Sequence, residues 1–166
     1  MPPDPTSLIE EAYTQYADAI FRHIYLRLRD RERAKELMQE AFIKAMNALK
    51  KNAEIQNLRA FLYTISNNLI IDDVRKKKSL SLDELQESGF EPTGASETSL
   101  HTVMEGHRVA EVLGKLREED RDLIVMRFVD NMKPQEIAEI LGIAPNTISV
   151  RIHRALKELK SHLRSE

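Results

Sequence analysis

The chain has 166 residues, of which 42% are hydrophobic and 31% are charged, and its formal net charge is −2. This composition is typical of a globular protein of one or two domains with many polar helix faces. The absence of cysteine excludes disulfide bonds, thiolate zinc sites and cysteine nucleophiles, and it fits a reducing cytoplasm. No apolar run reaches the roughly 20 residues of a membrane span, and the start MPPDPTS does not resemble a signal peptide, so a cytoplasmic protein is expected.

The charges are unevenly distributed along the chain. Residues 79–106 contain no Lys or Arg, so the rest of the chain keeps all 25 basic residues and has a positive balance. Because local fields rather than the total charge attract phosphate, a nucleic-acid partner is compatible with this sequence. The acidic residues of this segment are Asp83, Glu84, Glu87, Glu91, Glu97 and Glu105.

The first part of the chain predicts a helical hairpin. Ser7 and Glu10 have the spacing of a capping box, and apolar residues then recur at helical intervals over 8–28. Asp30 is expected to end this helix and to cap a second one, whose apolar stripe covers 34–49.

A third helix is expected to begin at Asn57, which has the residue type of an N-cap. The polar triplet at 66–68 interrupts its apolar pattern, and because these side chains compete with the backbone for hydrogen bonds, the triplet predicts a bend or a new cap. The helix is expected to end in the basic run 75–78.

Residues 79–99 are rich in Ser, Glu, Gly, Pro and Thr and have little periodicity, which is typical of a linker. We therefore expect an N-terminal domain at 5–78, a flexible acidic linker at 79–100 and a C-terminal domain at 101–164. No segment has the alternation of a strand, so the predicted fold class is all-α.

In the C-terminal part, apolar spacing predicts two helices between 103 and 128, followed by a turn at Asp130 and Asn131. A helical hairpin then follows at 133–159. Pro134 suits a first helical turn, while Gly142 suits a left-handed C-cap and leads into a turn of three residues, 142–144.

The second helix of this hairpin begins at Pro145 and buries a stripe that includes Ile148, Ile152 and Ala155. Its outer face can enter a DNA major groove, although a hairpin that only packs within the protein remains an alternative. The residues expected on that face are Asn146, Thr147, Ser149, Val150, Arg151, His153 and Arg154.

Enzymatic activity is not expected. The histidines lack metal-binding spacing with carboxylates, and the chain has no phosphate-binding glycine loop, so neither a metal nor a cofactor is predicted.

Three segments carry a family resemblance: ELMQEAFIKAMNAL at 36–49, LRAFLYTISNNLIIDDVRKKK at 58–78, and VDNMKPQEIAEILGIAPNTISVRIHRALKEL at 129–159. Their content and order resemble bacterial RNA polymerase sigma factors of the sigma-70 family, extracytoplasmic-function (ECF) type. The resemblance implies that the N-terminal domain is region 2, which holds the polymerase and opens the −10 element. The C-terminal domain is then region 4, which reads the −35 element.

The resemblance also implies roles for individual residues. Asn68 stands where the family holds a base flipped from the −10 strand, whereas Phe61 stands where the family usually has tryptophan. Residues with these implied roles are Glu36, Gln39, Glu40 and Lys44 for polymerase binding, and Phe61, Tyr63, Asn67, Asn68, Arg75, Lys76, Lys77 and Lys78 for binding the −10 DNA. As the alternative, polar residues opposite an apolar stripe are simply solvated, and a basic run complements a helix dipole.

The partners implied by the resemblance are core RNA polymerase, promoter DNA and an anti-sigma factor. The acidic linker is expected in a basic channel of the polymerase, with a solvated tether as the alternative. Two other functions remain open from the residues alone: a helix-turn-helix regulator that binds DNA by itself and whose N-terminal bundle senses or dimerises, and an adaptor that binds only protein.

Overall fold

Helices form nearly all of the chain that the computed structural model describes, which is residues 3–83 and 108–164. These residues contain no β-strand, so the all-α prediction is confirmed. They divide into two compact units, one for each expected helical domain. Among the described residues, no helix is long and apolar enough to cross a membrane.

The first unit consists of three helices, α1 (Pro5–Leu28), α2 (Arg31–Lys50) and α3 (Leu58–Asp83), and each packs against the other two. An edge-to-face contact between Tyr13 and Phe42, with ring centroids 5.1 Å apart, joins the first two helices. The apolar stripes predicted from the sequence meet in a common core. Its fully or almost fully buried members include Ile20, Ile24, Leu37, Ala41, Leu62 and Ile70.

Helix α1 begins earlier than its sequence pattern predicts. Asp4 is the N-cap residue, with an extended backbone and no side-chain capping bond, and Pro5 lies in the first turn. The predicted capping box of Ser7 and Glu10 is therefore wrong, because both residues already lie inside the helix. Proline has the φ of a helix and lacks an N–H that the first turn would leave unpaired, so it favours this earlier start.

The turn between α1 and α2 combines two capping devices. Arg29 has a left-handed φ of 60°, and its N–H donates to the Tyr25 carbonyl over 2.7 Å. Asp30 Oδ1 then accepts a 3.1 Å bond from the N–H of Arg33. The predicted role of Asp30 as the cap of α2 is confirmed.

Helix α3 also begins at its predicted cap, since Asn57 Oδ1 accepts a 3.1 Å bond from the N–H of Ala60. Of the two alternatives predicted at 66–68, the new cap is wrong, because the helix continues through these residues. Ser66 is buried, and its hydroxyl donates to the Leu62 carbonyl one turn earlier over 2.7 Å. The hydroxyl thus finds its partner within the helix.

The end of α3 lies five residues beyond the predicted end of the basic run, at Asp83. Residues 79–83 contain neither Gly nor Pro, so nothing in them opposes a helix that is already formed. The expected linker therefore begins as helix. Its other acidic residues, Glu84, Glu87, Glu91, Glu97 and Glu105, lie outside the described residues.

The second unit contains α4 (residues 108–114), α5 (Glu118–Ile124), α6 (Pro134–Leu141) and α7 (Pro145–Arg164). Both α5 and α6 pack against α7, which therefore lies at the centre of the unit. Its most deeply buried side chains include Leu123, Val125, Met126, Met132, Ile137 and Ile148.

Helix α5 continues directly into a π-helical turn, Val125–Val129, which the sequence pattern does not predict. The wider turn is visible in a 2.9 Å bond from the Asp130 N–H to the carbonyl of Val125, five residues earlier. The chain then reverses at Asn131, which has a φ of 56°. The turn predicted at Asp130 and Asn131 is confirmed.

The hairpin of α6 and α7 has the predicted turn. Gly142 has a left-handed φ of 69° and donates its N–H to the Ala138 carbonyl over 2.8 Å, and Pro145 begins α7. A Cβ atom placed on Gly142 would meet no heavy atom within 4 Å. The requirement for glycine is therefore conformational and not steric.

We expect Gly142→Ala to lower the free energy of unfolding of the second unit by about 1 to 2 kcal/mol, the cost of a left-handed backbone for an ordinary residue. Gly142→Asn should cost less, because asparagine tolerates this conformation. Urea denaturation followed by circular dichroism measures both. Equal stability of Gly142→Ala and the wild-type protein would contradict this account of the turn.

Candidate nucleic-acid and polymerase interface

The outer face of α7 is open to solvent at every predicted position. The stripe of Ile148, Ile152 and Ala155 is buried against the rest of the unit. Because helical periodicity separates the two faces, burial of this stripe turns the predicted DNA-binding residues outward. All of them are exposed: Asn146, Thr147, Ser149, Val150, Arg151, His153 and Arg154.

This exposed face combines cations, small polar groups and one apolar side chain. Within the described part of the chain, Arg151 and Arg154 have no acidic partner, so their donors are available for a guanine edge or a phosphate. Val150 is 52% exposed, although it is apolar. An aliphatic side chain at such a position can contact the methyl group of thymine.

The outer face of α2 carries the predicted polymerase-binding residues. Glu36 Oε2 forms an ion pair with Arg33 Nη1 at 2.8 Å, and Glu40 Oε1 lies 3.8 Å from Lys44 Nζ. Gln39 is exposed beside them. Both pairs join residues three or four apart on α2, the spacing at which side chains on one helix face meet.

Sequence reasoning missed one residue of this face. Ile43 is 55% exposed and stands between Glu40 and Lys44, outside the buried stripe of α2. The signal was present, because an apolar residue out of phase with its helix stripe has no core to enter. Single exposed apolar side chains are common on protein surfaces, and Ile43 is one of them.

The predicted −10 residues on α3 separate into exposed and buried ones. Asn68 is exposed and Phe61 is half-buried, whereas Tyr63 and Asn67 are almost fully buried at 1% and 2% exposure. Direct DNA contact by Tyr63 and Asn67, as expected from the sequence, does not fit this structure. Their positions on the helix place them against α1, so their surroundings are protein.

Tyr63 and Asn67 belong to a buried polar ladder between α1 and α3, which also contains His23 and Arg27 of α1 and Arg59 of α3. Arg27 Nη1 donates to Asn67 Oδ1 over 2.8 Å and lies 3.2 Å from His23 Nε2. The His23 ring meets the Tyr63 ring edge-on at 5.2 Å, and the Arg59 guanidinium lies over Tyr63 at 5.2 Å from its centroid. Sequence reasoning missed His23 and Arg27, although two polar residues one turn apart within an apolar stripe are the signal of such a ladder.

The basic run at the end of α3 is exposed, but its members differ. Lys77 Nζ lies 3.5 Å from Asp73 Oδ2 and 3.9 Å from Asp30 Oδ2. Lys77 therefore joins the end of α3 to the start of α2 and is less available to DNA than the sequence suggests. Arg75, Lys76 and Lys78 are exposed around it.

Asp73 is the centre of this charge cluster and is only 5% exposed. Its Oδ1 accepts a 2.6 Å bond from Arg33 Nε, and this hydrogen bond raises the pKa of Arg33. Arg33 also pairs with Glu36 on the predicted polymerase face. The cluster thus links the basic run at the end of α3 to the first turns of α2.

The exposed residues of these surfaces are suited to binding. Among residues 3–83 and 108–164, no group of three His, Cys, Asp or Glu side chains could hold a metal ion. The described surfaces offer guanidinium, ammonium and amide donors on helices. Such donors suit phosphates and the edges of bases.

Comparison with known proteins matches both units in order. Residues 12–80 match the model of sigma-70 region 2, and residues 106–159 match the model of sigma-70, region 4. The chain is 29% identical over 158 residues to the RNA polymerase sigma factor YlaC of Bacillus subtilis (strain 168), covering 93% of this chain and 91% of that protein. It is also 29% identical over 159 residues to the ECF RNA polymerase sigma factor SigW of the same strain, covering 90% and 85%.

A solved structure has the same fold. The sigma factor RpoE from Bartonella quintana, in a complex with the anti-sigma factor NepR, aligns with a TM-score of 0.73 at 21% identity and covers 93% of this chain and 96% of its own. Together the two family models span most of the sequence, in the order of the two units. The chain therefore belongs to the sigma-70 family of RNA polymerase sigma factors and is of the ECF type.

Proposed function

We propose that this sigma factor binds core RNA polymerase through α2, opens the −10 element through α3 and reads the −35 element through α7. The observation that carries the proposal is the exposed outer face of α7, set by the tight turn at Gly142 in a unit that matches region 4. The protein acts where the polymerase and the chromosome are, in the cytoplasm. Residues 5–83 form the polymerase-binding and melting domain, and the α7 hairpin forms the domain that docks upstream.

Upstream recognition depends on the first turns of α7. Arg151 and Arg154 lie one turn apart, so both can face one groove. We propose that one contacts a base edge and the other a phosphate. Val150 adds an apolar contact, and Ser149 stands where a longer basic side chain is common in the family.

Melting depends on the exposed amide of Asn68 and on the cations of the basic run. A side-chain amide presents both a donor and an acceptor, which suits the edge of an unpaired base. Arg75, Lys76 and Lys78 supply charge for the phosphates on either side. Tyr63 and Asn67 contribute from the interior, by supporting the helix that carries Asn68.

Polymerase binding depends on the face of α2 that contains Gln39, Glu40 and Ile43. The exposed Ile43 supplies an apolar centre, and the surrounding polar groups supply a rim with defined charges. We also propose that an anti-sigma factor can cover this face. The RpoE structure, determined with NepR, supports that part of the proposal at the level of fold.

Transcription with purified components tests the main proposal. We expect this chain, added to core RNA polymerase, to direct initiation from a defined subset of a randomised promoter library, because the chain supplies the −10 and −35 contacts and the core polymerase supplies RNA synthesis. Run-off transcripts and sequencing of their start sites provide the measurement. DNA binding by the chain alone, with no effect on initiation, would instead support a stand-alone helix-turn-helix regulator.

The two arginines of α7 should differ in their effects. Loss of a base contact by Arg→Ala should cost about 1 to 3 kcal/mol and relax the preference at one upstream position, whereas loss of a phosphate contact should weaken all sequences alike. Arg151→Ala and Arg154→Ala are therefore each tested with holoenzyme on the selected library. Arg164→Ala, at the other end of α7, is the matched control, and the docking is refuted if all three variants match the wild-type protein on every template.

Asn68→Ala should reduce promoter melting without weakening the initial steps. The captured base must offset a few kcal/mol of unstacking, so the contact contributes only when the strands separate. We expect normal binding of core polymerase and of duplex promoter, lower permanganate reactivity of unpaired thymines, and substantial rescue on a premelted template.

Gln15→Ala removes an exposed amide from the outer face of α1 and is the control for Asn68→Ala. If Asn68→Ala is harmless on fully paired promoters, Asn68 has no role in melting. If it lowers the melting temperature of the protein in proportion to the lost activity, its role is structural.

A further inference from the structure

The buried polar ladder between α1 and α3 has a regular geometry. His23 and Arg27 lie one turn apart on α1, and Tyr63 and Asn67 lie one turn apart on α3. Each rung joins the two helices: the His23 ring meets Tyr63, and Arg27 Nη1 meets Asn67 Oδ1 at 2.8 Å. The ladder therefore fixes the two helices at two successive turns.

The proton arrangement of the ladder follows from its chemistry. A guanidinium has only donors, so His23 Nε2, at 3.2 Å from Arg27 Nη1, must act as an acceptor. This assigns the imidazole proton to Nδ1. Arg27 Nη1 thus donates to one acceptor on each helix, His23 Nε2 on α1 and Asn67 Oδ1 on α3.

Such a ladder is a costly way to hold helices together. Arg27 is only 4% exposed, and a buried cation must recover a large desolvation penalty through its hydrogen bonds. Apolar packing would give comparable stability without that penalty, but apolar contacts have little directionality. A short charge-assisted hydrogen bond constrains both distance and angle, so its distinctive effect is to fix the rotation of α3 about its own axis.

The rotation of α3 decides where Asn68 points. Asn67 and Asn68 are consecutive and face directions about 100° apart, so a constraint on one sets the other. Asn67 is locked to Arg27, and Asn68 is exposed. A roll of α3 by about 20° would move a side chain on its surface by about 2 Å, which exceeds the tolerance of a well-built binding site.

We propose that Arg27 is a positioning residue for promoter melting, which acts through Asn67 to fix the rotation of α3 that presents Asn68 to the unpaired base. This inference rests on the proposed role of Asn68. Asn67 is buried and cannot contact DNA directly, but in this proposal it contributes to melting by orienting α3.

The test replaces the polar pair with an apolar one. The double variant Arg27→Met/Asn67→Leu replaces both partners of the directional bond by apolar side chains. It also removes the donor that faces His23 Nε2, so its melting temperature should fall somewhat, and promoter opening is compared with the wild-type protein at a temperature at which both are folded. With core polymerase it should bind normally yet form open complexes on duplex promoters about tenfold more slowly, as expected for loss of positioning. Arg22→Met removes the same charge from an exposed site on α1 and should have no effect.

A pair of single variants at Asn67 tests the proposal even if the double variant does not fold. Asn67→Asp keeps an oxygen acceptor for Arg27 and should melt promoters at a rate close to that of the wild-type protein, whereas Asn67→Leu should be slow. If the double variant does not fold, this pair of single variants decides the question. Equal rates for Asn67→Asp and Asn67→Leu would overturn the proposal.

A double-mutant cycle identifies the target of the ladder. If Arg27 acts through Asn68, adding Asn68→Ala to Arg27→Met/Asn67→Leu should cause little further loss, so the two effects are not additive. Additive effects, or a double variant as fast as the wild-type protein, would refute the positioning role. If the wild-type holoenzyme opens no promoter, the proposed function itself fails; if it opens promoters but Asn68→Ala is harmless, only the inference about Asn68 and Arg27 fails.

Discussion

Each helix of this protein must bury one stripe of apolar side chains, and this constraint decides which surfaces remain for partners. On α7 the burial of Ile148 and Ile152 turns Arg151 outward. On α2 the burial of Leu37 and Ala41 leaves Gln39 on the opposite face. Because the hydrophobic contribution is the dominant favourable term in folding, the binding faces inherit their orientation from the core.

The buried polar ladder is the main departure from this rule. His23 and Arg27 occupy positions in the stripe of α1 where apolar residues would pack at lower cost. Their partners Tyr63 and Asn67 lie in the segment that carries Asn68. The polar contacts between α1 and α3 thus lie beside Asn68, the residue that we propose to contact the unpaired base.

Charge in this protein is organised by local clusters, and the net value of −2 conceals them. Asp73 is nearly buried, yet Arg33 and Lys77 both approach it. The same Arg33 reaches Glu36 on the outer face of α2. The end of the basic run and the expected polymerase surface are therefore connected through one carboxylate, that of Asp73.

Much of this architecture is local and was predictable from the sequence. Apolar periodicity identified the all-α class, and residue chemistry identified the caps at Asp30 and Asn57 and the turn at Gly142, because each depends on side chains within one turn of the chain. Other features depend on neighbours that are distant in sequence. The burial of Asn67 requires Arg27, and the pairing of Lys77 requires Asp30, so neither was visible in a one-dimensional pattern. The sequence by itself determined most of the helices and their apolar stripes. Only the tertiary structure decided which polar residues pair with each other and which remain exposed, since that depends on contacts between helices.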